Sequence, residues 1–481
     1  MTWSKLLLLW VLLACAAGVM VMLYGCGGGA AKETNPPPPP PTQQIQHVVV
    51  IFQENRSVDH LFGGDQTLMK RGADIATSGI NSLGQTVPLV PIPLVTNYDR
   101  NHAHIAFLEM WDNGKMDAVD TIHLSCEPNA QDCPPSNQFC PQTGDQTHCQ
   151  GLAYVQASDV QPYYQLAETY TFADRMFQSN QGPSFPAHQY IISGTSATDS
   201  TGNLLDAENP GVTNESAGCI APPDQYVRLI DPSNPNPNTN ETQTAYPCFE
   251  HKTLTDLLEA KGITWRYYAA KAGSIWTGPN AIQHMCGPNQ PPPNGTQCIG
   301  SDWTNNVVLT YTQVLTDIAN GQLAAVSWVT PSGQASDHAG ITDGSGPSWV
   351  ASVVNAIGSS PYWANTAIFI SWDDWGGWYD HVAPTIKNSY EYGFRVPLIV
   401  VSPYAKAQYI SPVPHSFGSI LHFIETNFGL PSLGNDDAAA DDLSDCFNFN
   451  QTPLTFTSIK ARLKAKDFLE DKRPPADPDD D

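Results

Sequence analysis

Apolar residues along this chain fall into short, β-branched runs separated by longer stretches with a helical repeat. His47–Phe52 is the first such run, and similar ones recur at Ala324–Val329, Ala367–Trp372 and Val396–Val401. Runs of this length without polar alternation predict strands buried on both faces. Between them, Thr253–Lys261, Trp349–Ile357 and Ser416–Phe428 carry helical patterns. Strands alternating with helices predict an α/β fold built on a parallel sheet. In such sheets, sites collect at the carboxyl ends of the strands. The polar residues directly after each run are therefore the first place to look for chemistry.

Three stretches, at about 121–160, 198–250 and 284–305, are rich in Asn, Pro, Gly and Cys and show no period, so they read as loop insertions. The amino terminus has Lys5 followed by an apolar run to about Tyr24, the pattern of a signal peptide. The run is also long enough to anchor a helix in a membrane. Leu-Tyr-Gly-Cys then looks like a bacterial lipobox with Cys26 as the residue to be lipidated, although Tyr24 is atypical there. A periplasmic or surface lipoprotein, a cleaved secreted protein and an uncleaved anchor stay open, and all of them imply export. The expected layout is a signal peptide over 1–25, a linker over 26–45 stiffened by Pro36–Pro41, a folded domain over 46–466 and a disordered acidic tail over 467–481.

The chain has 11 cysteines. With Cys15 and Cys26 set aside, Cys126, Cys133, Cys140 and Cys149 crowd one loop, while Cys219 with Cys248 and Cys286 with Cys298 bracket two others. Disulfide staples of long loops fit an oxidising compartment. Zinc is the rival reading of the first cluster, but its spacing contains no Cys-x-x-Cys. Cys446 is the odd one out.

Composition narrows the function. Only 14% of the 481 residues are charged, while Pro (41) and Gly (36) abound, which suggests a loop-rich enzyme and not a coiled coil. The net charge of −25 argues against nucleic-acid binding, because no basic stripe is available to displace counterions. An anionic substrate would need local attraction from a metal or a few buried cations.

Three polar clusters follow the apolar runs. Glu54 and Asn55 come directly after the first strand and offer hard oxygen ligands, though a strand-end turn explains them equally well. Asp373 and Asp374 come directly after a later strand, in an apolar, Trp-rich setting. Adjacent carboxylates there repel one another unless a cation or proton intervenes, which points to a metal. Ser184 sits in a Gly-Pro-Ser-x-Pro turn ahead of an apolar run. With no Gly-x-Ser-x-Gly elbow around it, it would need a metal to act as a nucleophile, and by itself it reads more simply as a turn or cap serine. His102, His104, His338, His381 and His415 are the candidates for proton handling, each of which alone is more often structural.

The segments HVVVIFQENRSVDHLFG, NGKMD, GPSFPAHQYIISGTS, WDDWGGWYDHV, YGFRVPLIVVSPYA and HSFGSILHFIETNFGLP together resemble the bacterial phosphoesterase family, over about residues 46–456. That family contains acid phosphatases and phosphatidylcholine-type phospholipases C. The resemblance implies an alkaline-phosphatase-like α/β sandwich, with a mostly parallel sheet and helices on both faces. It also implies one divalent cation (Ca, Mg, Mn or Zn) held by Glu54, Asn55, Asp373, Asp374 and Ser184. Ser184 falls at the nucleophile position, implying a phosphoseryl intermediate. His102 and His338 match active-site histidines, with His104 a rival for the first role. His381 and His415 match further motif positions. The chain departs from the common pattern at Asp374, where many relatives have Glu, and at Asp337-His338-Ala339, where Glu-His-Pro is commoner. Serine at 184 matches the acid-phosphatase branch, so the expected substrate is a small phosphomonoester. A phospholipid is the alternative; Trp375, Trp378 and Tyr379 would offer it an apolar platform, or equally belong to the core. A non-catalytic surface lipoprotein that binds phosphorylated ligands is the rival of another class. A sulfatase-like reading lacks the arginine after Ser-x-Pro.

Overall fold

The computed structural model describes residues 44–126, 140–142, 149–211 and 216–476. The apolar leader, Cys26 and the polyproline run lie outside these residues. Among the described residues no helix is long and apolar enough to cross a membrane.

One eight-stranded sheet organises the domain. In chain order its strands are β1 (His47–Gln53), β2 (Thr171–Ala173), β3 (Trp265–Tyr268), β4 (Val307–Val308), β5 (Val326–Val329), β6 (Thr366–Trp372), β7 (Leu398–Val401) and β8 (Tyr409–Ser411). Their spatial order is β4-β3-β5-β1-β6-β7-β2-β8. Only β7 runs antiparallel to its neighbours. The other pairings are parallel. The four expected runs are all present. The other four strands were not legible because they are two to four residues long or polar, with no apolar run to mark them.

The helices that matter to the site are α1 (His104–Trp111), α2 (Gln161–Thr169), α3 (Ser184–Ser193), α4 (Gly346–Gly358), α5 (Phe417–Phe428) and α6 (Ala465–Glu470). They cover both faces of the sheet, because successive side chains of a strand point to opposite sides. On one face Trp372 meets Tyr163 of α2 at 5.0 Å between ring centroids. On the other, Phe52 and Phe369 meet Phe417 and Phe423 of α5 at 5.3 and 5.0 Å. Helix α5 shows why this segment is helical. Phe417, Ile420, Leu421 and Ile424 share its buried face, and Ser416 and Ser419 cap its start reciprocally.

Beta strands β1 and β6 lie side by side at the centre, in register from His47 opposite Thr366 to Gln53 opposite Trp372. Their carboxyl ends therefore coincide, and the residues that follow emerge together.

One insertion has more structure than expected. The stretch at 198–250 contains a three-stranded antiparallel sheet of Leu205–Asp206, Val227–Ile230 and Gln243–Ala245. Disulfides join Cys140–Cys149, Cys219–Cys248 and Cys286–Cys298, and Cys126 is also disulfide-bonded. This removes the zinc reading for the members of the first cluster that are described. Cys446 is a buried free thiol.

The segment expected as a disordered tail is ordered through residue 476. Phe468 of α6 is buried against Trp349 of α4, 5.4 Å between centroids. Beyond it, Gln334 Nε2 donates to the Pro474 carbonyl at 2.8 Å, and the Ala476 amide donates back to Gln334 Oε1 at 2.8 Å. An isolated aromatic in a charged segment gave no sequence signal, yet it anchors that segment. Phe468→Ala should destabilise the domain by about 3 kcal/mol in denaturant unfolding, the usual cost of truncating a buried aromatic. A neutral result would detach the segment from the core.

Candidate active site

The site begins where β1 and β6 end. The Asp373 amide donates to the Gln53 carbonyl at 3.1 Å, and the Asn55 amide donates to Asp373 Oδ1 at 3.0 Å. Asn55 takes a left-handed backbone (φ 60°), which Asn tolerates better than most side chains. Gly376 also has positive φ (63°), and a Cβ there would lie 2.2 Å from the Asn55 carbonyl oxygen. Glycine is required where the two loops touch. Glu54, Asn55, Asp373 and Asp374 are all 0% exposed.

Ser184 is the first residue of α3, after Pro183, and its Oγ donates to Asp374 Oδ2 at 3.3 Å. The other oxygen of Asp374 accepts from the Gly376 amide at 2.7 Å. The serine therefore sits at the positive end of a ten-residue helix, a favourable place for an anion. One turn further along α3 lies His188, which sequence reasoning passed over. Its Nε2 is 3.3 Å from Glu54 Oε1 and 3.7 Å from Asp373 Oδ2. The signal was the i, i+4 spacing from Ser184, which puts both side chains on one face of the helix.

His102 holds Asn55. Its Nδ1–H donates to the Arg100 carbonyl at 2.8 Å, so its Nε2 accepts from Asn55 Nδ2, also at 2.8 Å. This leaves Asn55 Oδ1 turned away from the ring. His338 lies beside His102, 5.8 Å between ring centroids, and its Nδ1–H donates to the Ala339 carbonyl at 2.7 Å. The preceding Asp337 is buried. Its carboxylate accepts from Tyr163 Oη and Trp372 Nε1, and its carbonyl accepts from Arg56. Burial pushes its carboxyl up to about 6.

The donor set fits a cation. Both oxygens of Glu54, Asn55 Oδ1, Asp373 Oδ2 and His188 Nε2 are buried without a hydrogen-bond partner. Burial, then the neighbouring Asp373, Asp374 and Asp337, pushes Glu54 well above the usual carboxylate range. Burial pushes His188 down to about 4, so it is a neutral imidazole. Acidic oxygens with one neutral imidazole and no lysine or arginine pairing to Glu54 or Asp373, among the described residues, are the ligand chemistry of a divalent ion.

The phosphoesterase family model matches residues 45–431. The chain belongs to the phosphoesterase family. Phospholipase C B of Mycobacterium tuberculosis is 26% identical over 85% of this chain and 78% of its own length. The non-hemolytic phospholipase C of Burkholderia pseudomallei is 25% identical over 84% of this chain and 59% of its own. The hemolytic phospholipase C of Pseudomonas aeruginosa is 24% identical over 84% and 56%. Among solved structures, a protein in the alkaline phosphatase superfamily from Vibrio parahaemolyticus is similar over 58% of this chain and 63% of its own, at 11% identity and a TM-score of 0.32. As a phosphoesterase-family member, this chain is a phosphoric ester hydrolase.

Other histidines of this phosphoesterase lie in different surroundings. His104 turns away from Asn55 and pairs through Nδ1 with Glu241 Oε2 at 2.8 Å, which favours His102 as the histidine at the site. His415 sits between Asp441 at 2.7 Å and Ser411 at 2.9 Å, just ahead of α5. His381 is tied to Asp59 at 2.7 Å and Asp74 at 3.1 Å, in a network where Arg395 also pairs with Asp59 and Asp380. The structure does not bring His381 or His415 to Ser184. Of the two readings of the aromatic residues, burial selects the core. Trp375 and Trp378 are 0% exposed and Tyr379 is 2% exposed, and Trp378 is packed against His60 and Arg56, so the three are core.

Burial lowers the His381 pKa, but the bonds to Asp59 overcome it and hold it at about 9. Since an unfolded histidine titrates near 6.5, the added stability is complete below about pH 6 and is lost as pH rises through 9. Wild type should exceed His381→Gln by about 2 kcal/mol at pH 6, after discounting for partial exposure, with the gap closing by about pH 10 in denaturant melts. A gap independent of pH would show that the ion pair does not set it.

Proposed function

We propose that this protein is an exported, metal-dependent phospholipase C-type enzyme, with Ser184 as nucleophile. The observation that carries the substrate class is the 24–26% identity to phospholipases C over 84–85% of the chain. It outweighs the serine at 184, which by itself favoured small phosphomonoesters.

The shape of the site supports the same reading. A cleft of about 930 Å³ reaches Pro183, the residue before Ser184, and is also lined by Ala103, Tyr226, Glu208 and Glu241 among others. At its rim Ile105 is 66% and Tyr226 50% exposed. Burial pushes Glu208 well above the carboxylate range, and Glu241 raises it further. Arg228 and His104, the latter paired with Glu241, line the same wall, so its charge is mixed, while the apolar rim suits a lipid.

Glu54, Asn55, Asp373 and Asp374, with Ser184 beside them, would hold the cation. Bound there, a divalent ion supplies charge to activate the serine hydroxyl and to neutralise a phosphoryl oxygen. Ser184 Oγ attacks phosphorus, the P–O bond to the leaving alkoxide breaks, and a phosphoseryl ester remains. Asp374 already accepts the hydrogen of Ser184 and orients its lone pairs. His102 keeps the Asn55 amide in one orientation. His338, beside it, stabilises charge on the phosphoryl group or protonates the alkoxide. Water then cleaves the phosphoseryl ester. The leader segment and Cys26 would place this chemistry outside the cytoplasm, with lipidation as a membrane tether.

Ser184→Ala should lower turnover at least about a thousandfold while leaving metal content unchanged. Release of headgroup phosphate from phosphatidylcholine micelles and cleavage of p-nitrophenyl phosphate are the two assays. Near-normal activity of the variant would remove Ser184 from the mechanism. Faster wild-type turnover of the monoester would return the substrate to the phosphatase class. Exhaustive chelation should abolish activity in both assays, and full activity of metal-free protein would overturn the cation.

A further inference from the structure

His188 carries information about the metal. Its ring is fully buried, one helical turn from Ser184, and its tautomer follows from its neighbours. Tyr267 Oη donates its single hydrogen to the Trp276 carbonyl at 2.9 Å and accepts from the Gly278 amide at 3.3 Å. Tyr267 therefore has no hydrogen left for His188, so the contact of 3.4 Å between them is made by His188 Nδ1–H donating to the phenol oxygen. A neutral imidazole protonated at Nδ1 bears a lone pair on Nε2. That lone pair faces Glu54 Oε1 at 3.3 Å and Asp373 Oδ2 at 3.7 Å, and none of these three atoms has a hydrogen-bond partner. A lone pair turned toward two buried carboxylate oxygens is repulsive unless a proton or a cation lies between them, and a proton serves one pair of atoms whereas a cation serves all three.

We infer that His188 Nε2 is a direct ligand of the cation, and that the site is built for a borderline transition metal such as zinc or manganese over calcium or magnesium. This rests on the reading of the Glu54–Asp373 pair as a cation site. Three candidate donor atoms from Glu54, His188 and Asp373 lie within 4.8 Å of one another, a span that one ion can bridge. Calcium and magnesium prefer all-oxygen shells, whereas an imidazole nitrogen among carboxylates suits zinc and the other first-row metals. The rest of the ring supports the role. The Nδ1–H bond to Tyr267 is the outer contact that fixes the tautomer of a metal-binding histidine.

The test is metal binding itself, on chelator-stripped full-length protein, with zinc, manganese, magnesium and calcium titrated separately by calorimetry. Wild type should bind zinc at least about a hundredfold more tightly than magnesium, and His188→Leu should lose most of that preference while keeping its magnesium affinity. Manganese-loaded wild type should show nitrogen hyperfine coupling in pulsed electron paramagnetic resonance, weakened in His188→Leu and retained in Ser184→Ala. If His188→Leu does not fold, His188→Gln takes its place in both measurements. Equal zinc preference and an unchanged nitrogen signal in the variant would overturn His188 as a ligand and leave the cation site standing. Wild type that binds none of the four ions would overturn the cation site and this inference together.

Discussion

Parallel, in-register pairing of β1 with β6 forces Glu54 and Asp373 out of the sheet at the same point, and the next residues, Asn55 and Asp374, follow them. All four side chains are sealed from solvent. Burying several carboxyl groups together is costly, because desolvation and mutual repulsion act in the same direction. The raised pKa of Glu54 expresses that cost. A protein keeps such an arrangement only where something compensates it, and here the compensation is the chemistry of the site. The rest of the architecture serves this constraint. The central strands hold the carboxylates rigidly, the left-handed turn at Asn55 and the glycine at 376 let the two loops close on each other, and α3 delivers a serine and an imidazole from the opposite side.

The polar residues around the site divide into those that crowd together at the strand ends and those that hold others in place. His102 and Asp337 belong to the second group, one fixing an amide and the other tying the His338 loop to Arg56, Tyr163 and Trp372. Docking of residues 474–476 onto Gln334 steadies the same loop from the outside. The Asp59–Asp380–His381–Arg395 network is a separate buried assembly. Breaking a buried ion network is expensive, and that is sufficient reason for its residues to form part of a recognisable motif.

The cleft wall comes from a different part of the chain. The 198–250 insertion, which reads as loop, folds into a small sheet and supplies much of the cleft wall beside Pro183, including Glu208, Tyr226 and Glu241. The strand-end carboxylates come from the sheet, the serine and imidazole from α3, and the cleft wall from an insertion, the usual division in which a rigid scaffold carries variable loops.

The sequence by itself determined the α/β class, the central buried strands and the placement of Glu54, Asn55, Asp373 and Asp374 at strand ends. It could do so because β-branched runs bury themselves whatever surrounds them, and because the residue after such a run must emerge at the sheet's edge. Family resemblance then singled out Ser184, which local pattern alone reads as a turn serine. Tertiary structure alone separated His102 from His104, since two histidines two residues apart diverge only once Asn55 and Glu241 are in place. It buried Trp375, Trp378 and Tyr379, which composition cannot distinguish from a lipid platform. It also brought His188 against Glu54 and Asp373, residues more than a hundred positions away in either direction, a meeting that no local pattern along α3 announces.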